Sequence, residues 1–291
     1  MNKVAHYKMG LKMKNIKKLA FAAIALAVIS GPVLATDYSE GLHKNDYKWM
    51  QANLMYSIDE LPNDPSTGEK HNYLELEFGG RSGIVDLYGY VDVFNLGSSD
   101  DDSSDKGSGA SKIFMKLAPR FSLDAITGRD MSFGPVQEVY IATLFNWGGG
   151  EIGGDVNNSF WGLGTDVMVP WFGKVGMNLY GLYDINKKEW NGAQFSTNWF
   201  KPFYHFDNES FIAYQGYIDY QFGADADSTA FVPTTSSGGV MFNGIYWHSD
   251  RYSVGYGLKG YQDVYTVKDK AGALGLESTG FSHYFAVTYK L

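Results

Sequence analysis

The last residues of the chain set its pattern. Phe285, Val287, Tyr289 and Leu291 alternate with Tyr284, Ala286, Thr288 and Lys290, the period of two that puts successive side chains on opposite faces of a strand. One face is wholly apolar up to the C-terminus, which suits a wall touching lipid. The same alternation predicts strands at about 48–57, 73–79, 84–94, 111–120, 135–147, 159–168, 174–184, 192–200, 210–222, 239–248, 252–261 and 280–291. An even count of twelve returns both termini to the periplasm, as in single-chain bacterial barrels. The connections sort accordingly. The first, third, fifth, ninth and eleventh are long and polar, whereas Gly79-Gly80-Arg81-Ser82-Gly83, 170–173 and Ser249-Asp250-Arg251 are tight. The fourth (121–134) and the seventh (185–191) fit less well, the fourth being long for a turn. The predicted fold class is all-β: a transmembrane antiparallel β-barrel of about twelve strands, with short periplasmic turns and long external loops.

A soluble β-sandwich would alternate in the same way, with its apolar face turned inward. The N-terminus argues for the barrel. Lys3, Lys8, Lys12, Lys14, Lys17 and Lys18 precede an apolar stretch at 19–29, and Val33-Leu34-Ala35 supplies small residues for cleavage. Residues 1–35 read as a signal peptide cut after Ala35, leaving 36–291 as one barrel domain. That domain would be exported through the periplasm to the outer membrane of a Gram-negative bacterium. The rival reading, a helical anchor, needs roughly 20 apolar residues, more than this stretch holds.

Composition then narrows the picture. The mean hydropathy of -0.24 is that of a soluble protein, but barrels hide there because only alternate residues face lipid. Aromatics make up 16% of the chain and it holds 35 glycines, against an ordinary glycine share of about 7%. Both fit aromatic girdles and tight turns, and all seven tryptophans fall at or near predicted strand ends. Once the six leader lysines leave, 18 basic residues face 32 acidic ones, a charge nearer -14, so nucleic acid is a poor partner. Without cysteine there is no disulfide framework and no thiolate.

Nothing in the chain calls for a cofactor, a metal or catalysis. The run Asp100-Asp101-Asp102-Ser103-Ser104-Asp105 lacks the spaced ligands and downstream Glu of an EF-hand and reads first as a solvated loop tip. Gly255-Tyr256-Gly257-Leu258-Lys259-Gly260 matches GxGxxG but sits inside an alternating strand, where glycines let neighbours approach closely. A twelve-stranded outer-membrane phospholipase would pair His with Ser two residues on. None of the six histidines has that neighbour, so the protein is read as no enzyme.

The inward face carries the candidate chemistry. Glu75 and Glu77 alternate with Leu74, Leu76 and Phe78; Asp86, Tyr88, Tyr90 and Asp92 alternate with Val85, Leu87 and Val91; Lys116 and Arg120 share parity against Met115 and Leu117. A charge on the lipid face costs roughly 2–4 kcal/mol at the midplane, so parity with charges assigns the tyrosines to the lumen. Repeated phenols give a planar solute surfaces on which to stack. They would equally fill the interior of a narrow barrel.

The stretch KIFMKLAPRFSLDAITGRDMSFGPVQEVYIA at 112–142 closely resembles the Tsx family of nucleoside-specific outer-membrane channels, as do LYGYVDV at 87–93, GLGTD at 162–166, EWNG at 189–192 and STG at 278–280. HKNDYKWM at 43–50, FGGRSGIVDLYGYVDVFN at 78–95 and MFNGIYWHSDR at 241–251 resemble the OmpK branch of that family. The likeness covers nearly all of the mature chain. It implies a monomeric twelve-stranded channel passing nucleosides and deoxynucleosides by diffusion, and external loops that serve as a bacteriophage receptor, with phage tail proteins as partners. Outer-membrane lipid, lipopolysaccharide and the barrel-assembly machinery are the remaining partners to expect. Within the matched segments the lumen-parity residues Tyr88, Tyr90, Asp92, Lys116, Arg120, Glu138, Tyr140 and Asp166 become candidate solute contacts, joined on parity alone by Glu75, Tyr217 and Asp219. The alternative is a receptor or adhesive surface protein with only general porin activity. Leu291 stands where the family ends in Phe, and the external loops diverge from the enterobacterial channels.

Overall fold

Twelve antiparallel strands close into one ring in the computed structural model, which describes residues 38–65, 70–96, 111–148 and 156–291. The strands are β1 (Tyr47–Ile58), β2 (Lys70–Ser82), β3 (Val85–Phe94), β4 (Ile113–Ser122), β5 (Val136–Gly148), β6 (Asn157–Val169), β7 (Gly173–Asp184), β8 (Glu189–His205), β9 (Phe211–Phe222), β10 (Ser237–His248), β11 (Tyr252–Gln262) and β12 (Gly280–Lys290). Each pairs with its sequence neighbour, and β1 pairs with β12 from Gln51↔Lys290 to Ile58↔His283, so the sheet has no free edge. Closure satisfies the backbone hydrogen bonds that hydrocarbon cannot. Among the described residues no helix is long and apolar enough to cross a membrane. The proposed signal peptide and the acidic run at 100–105 lie outside the described residues.

All twelve predicted strands are present, with most bounds shifted by a few residues. The exception is β8, which runs 17 residues against nine expected. Only its first part pairs with β7, up to Val175↔Trp199, and the rest continues past a register shift at Pro202 as a hairpin with β9 on the periplasmic side. Proline removes a ladder donor, so alternation fails there although the strand does not. The fourth connection holds a short helix, α1 (Leu123–Thr127), capped where Ser122 Oγ accepts from the Ala125 N–H. Asp124 ties that excursion down by accepting from the backbone N–H groups of Met131 at 2.8 Å and Val139 at 3.1 Å. The seventh connection is a short external turn at 185–188.

Which face turns outward separates a barrel from a sandwich. Leu54, Leu163, Leu179 and Val287 are between 53% and 61% exposed, whereas a sandwich would bury them. Inside, apolar side chains pack on two walls. Ala142, Leu144, Phe160, Tyr180 and Leu182 cluster on β5–β7, and Met55, Tyr73, Tyr246, Tyr284 and Ala286 cluster on β1, β2, β10 and β12. Trp199, in mid-strand by number, pairs with Val175 near the periplasmic start of β7 and so stands at the level of a strand end. Trp49 departs from the interfacial belt. It shares a row with Gly79 and Tyr88 and therefore faces inward, its ring 6.3 Å from that of Tyr88.

Candidate channel lining

Cross-strand pairing stacks the inward side chains in three tiers. At the periplasmic end, Asp86↔Arg120 and Glu138↔Asp166 are direct neighbours, and Arg120↔Ala142 places the arginine beside a small residue that leaves room for its fork. Arg120 donates to Asp166 Oδ1 at 2.9 Å and to Asp86 Oδ1 at 3.0 Å, with its guanidinium 4.1 Å from the centre of the Tyr140 ring. Arg81 grips Glu138 with both terminal nitrogens, at 2.8 and 2.6 Å, the bidentate geometry that makes such pairs strong. The Tyr140 hydroxyl donates to Glu138 at 2.7 Å, and Lys174 reaches Asp166 at 3.2 Å. From outside the strands, Tyr38 inserts its hydroxyl against Glu138, Ser122 and Arg81. Burial first, and then the Glu138 carboxylate, push that hydroxyl up to about 12. A cavity of about 250 Å³ opens beside this tier, between Asn45, Tyr47, Gln137 and Lys174.

The middle tier joins opposite walls. Lys116 on β4 and Asp219 on β9 approach to 3.6 Å, five places apart in the ring. The lysine Nζ lies 5.8 Å from the centres of both the Tyr90 and Tyr217 rings. Tyr217 in turn stacks on Phe242 at 5.8 Å. Facing this strut from β2 and β3 are Glu75, Glu77 and Asp92. Glu75 is paired directly with Asp92, and Glu77 with Tyr90.

The external tier is tied to loops. Lys259 lies between the rings of Tyr261 and Tyr284, at 5.3 and 5.1 Å, and meets Glu60 of the first external loop at 3.8 Å. Glu60 also pairs with His71 at 2.7 Å. Above them the loops bind one another, through Asn63 with Glu277, Thr235 with Thr266 and Lys268 with Pro233.

The model of the nucleoside-specific channel-forming protein family, Tsx, matches residues 44–291, a range that takes in all twelve strands. The chain belongs to the Tsx family. Outer membrane protein OmpK of Vibrio parahaemolyticus is 63% identical over 276 residues, covering 94% of this chain and all of that one. The nucleoside-specific channel-forming protein Tsx of Salmonella typhimurium is 30% identical over 238 residues, 75% of this chain and 79% of the relative. Its namesake in Escherichia coli O157:H7 is 27% identical over 304 residues, 94% and 99% of the two chains. The protein is thus an outer-membrane channel of the Tsx/OmpK family, which is a channel-forming and not an enzyme family.

On this Tsx barrel the eleven residues singled out by parity all share inward rows. Arg120, Glu138, Tyr140 and Asp166 meet in the periplasmic tier. Tyr90, Lys116, Tyr217 and Asp219 meet at the strut, and Glu75 and Asp92 face each other across β2 and β3. Tyr88 donates to Glu77 at 2.9 Å. Parity reasoning missed Arg81, Trp49, Lys174, Lys259 and Tyr284. Arg81 lies in a stretch read as a turn, yet it is the fifth alternate residue after His71 on one strand face. Lys259 was in plain view within a predicted strand and shares its face with Tyr261.

Proposed function

We propose that the protein is a passive channel for nucleosides and deoxynucleosides, which are held weakly in transit by the inward residues Glu75, Tyr88, Tyr90, Asp92, Lys116, Arg120, Glu138, Tyr140, Asp166, Tyr217 and Asp219. The observation that carries this reading is the Lys116–Asp219 strut between two tyrosine rings. Flat aromatic faces beside a charged pair offer a base a stacking surface and its sugar hydroxyls donors and acceptors. The relatives named nucleoside-specific channel-forming proteins support the solute class. Weak sites suit a conduit, because a solute must enter readily and leave readily. Under this reading the mature chain begins at Thr36. Liposomes carrying the purified protein should swell faster in adenosine or thymidine than in a sugar of similar size; equal rates would remove selectivity.

A second role is favoured by the mutual binding of the external loops, which gives the outer mouth a built surface in place of independent strands of chain. We propose that this surface serves as a bacteriophage receptor. Adsorption that survives replacement of the loop at 263–279 by a short turn would reject it.

A further inference from the structure

We propose that Glu75, Glu77 and Asp92 form a binding site for organic ammonium ions, with short linear diamines and polyamines as the class that fits. The proposal goes beyond nucleoside passage and does not depend on it. The three carboxylates occupy two successive inward rows, Asn53↔Glu75↔Asp92 and Gln51↔Glu77↔Tyr90. None of them is in an ion pair among the described residues. Apart from the hydrogen bond that the Glu75 and Asp92 carboxyls share with each other, their side-chain donors are neutral amides and a phenol: Gln51 to Glu77 at 2.6 Å, Asn53 to Glu75 at 2.6 Å and to Glu77 at 3.1 Å, and Tyr88 to Glu77 at 2.9 Å. The two lysines whose charge acts on Asp92, Lys259 and Lys116, are engaged by Glu60 and Asp219. The inward carboxylates of the periplasmic tier, by contrast, all meet a cation, Glu138 with Arg81 and both Asp86 and Asp166 with the shared Arg120.

An independent observation points to a missing donor. Asn53 is 4% exposed and its amide is directed into the cluster, yet its Oδ1 has no hydrogen-bond partner; Asp92, 8% exposed, has an unpartnered Oδ1. Both atoms are acceptors, so the group that would complete the site is a donor and, beside three carboxylates, a cation. A bare metal ion fits poorly, because no group of three acidic or histidine side chains among the described residues has the geometry to hold one. Aromatic rows border the carboxylate rows instead. Trp49 and Tyr88 lie on the periplasmic side, and Tyr73 and Phe94 on the external side. Rings and carboxylates together recognise an ammonium group on an apolar stem. Glu75 and Glu77 stand two residues apart on one strand, about 7 Å, close to the separation of two ammonium groups joined by a three- or four-carbon chain.

The test is block of ion current through the purified protein in planar bilayers, with putrescine as probe and butylamine as its singly charged counterpart. Putrescine should block, and butylamine should need about tenfold more, since one charge-assisted contact is lost. Glu75→Gln together with Glu77→Gln should raise the half-blocking putrescine concentration by at least about tenfold. If that pair does not give a heat-modifiable, barrel-folded band, Asp92→Asn alone should raise it measurably. No block, equal potency of the two amines, or block unchanged in the folded variants would overturn the site. Adenosine added to the same wild-type channel separates the two readings: putrescine block without any effect of adenosine removes the nucleoside channel and leaves this site, and the reverse result does the opposite.

Discussion

Lys116 and Asp219 meet at 3.6 Å from opposite walls of a twelve-stranded ring, flanked by Tyr90 and Tyr217. A contact that crosses the interior fixes both its width and what a passing solute touches. Lys116→Ala and Asp219→Ala should each speed glucose swelling and lower the nucleoside-to-glucose ratio. The double variant should resemble either single, because the second substitution removes a partner already lost. Additive effects would mean that the two side chains act separately.

Stacking makes a different prediction from width. Tyr88→Ala and Tyr90→Ala should slow nucleoside flux relative to glucose flux, since a lost base–ring contact is worth about 1–3 kcal/mol while the pore itself is wider. Liposome swelling in the two solutes checks this; proportional changes in both would refute it.

The glycines of the GxGxxG match are hollows for rings. A Cβ on Gly257 would lie 2.2 Å from the Phe242 ring, and one on Gly255 would lie 2.1 Å from the Tyr246 ring. Both aromatics therefore lie flat along the neighbouring strand. Gly257→Val should force Phe242 off the wall and into the interior, reducing the flux of nucleoside and sugar alike. A folded variant with wild-type conductance would show that the ring has another place to go.

Tyr38 gives a pH signature. Its hydroxyl is raised from 10.0 to about 12, so its bonds contribute in full below pH 10 and fade as pH rises towards about 12, where the unfolded chain is already ionised. Urea unfolding in vesicles should find Tyr38→Phe less stable by about 1 kcal/mol at pH 8. That gap should shrink near pH 12; a gap independent of pH would contradict it.

Period-two alternation made strands, parity and most of the inward residues legible, because lipid outside and water inside impose opposite demands on successive side chains. It read Glu75, Tyr90 and Lys116 correctly as neighbours in kind but could not join Lys116 to Asp219, since contact across a closed ring is set by register summed over five strand pairs. Trp49 illustrates another limit. Its place near a strand end suggested a membrane interface, and only its row with Gly79 and Tyr88 turns it inward. The extension of β8 escaped because Pro202 interrupts the ladder, and Tyr38 because it belongs to no strand at all.

The pairing of β1 with β12 carries a consequence for biogenesis. The seam runs from Gln51↔Lys290 to Ile58↔His283, so the first strand to leave the ribosome must wait for the last. A chain truncated before Gly280 would present two unzipped margins to hydrocarbon, each unmatched N–H or C=O costing several kcal/mol. Such a product has no stable resting place in the bilayer, which makes the final eleven-residue strand the latch on which insertion of the other eleven depends.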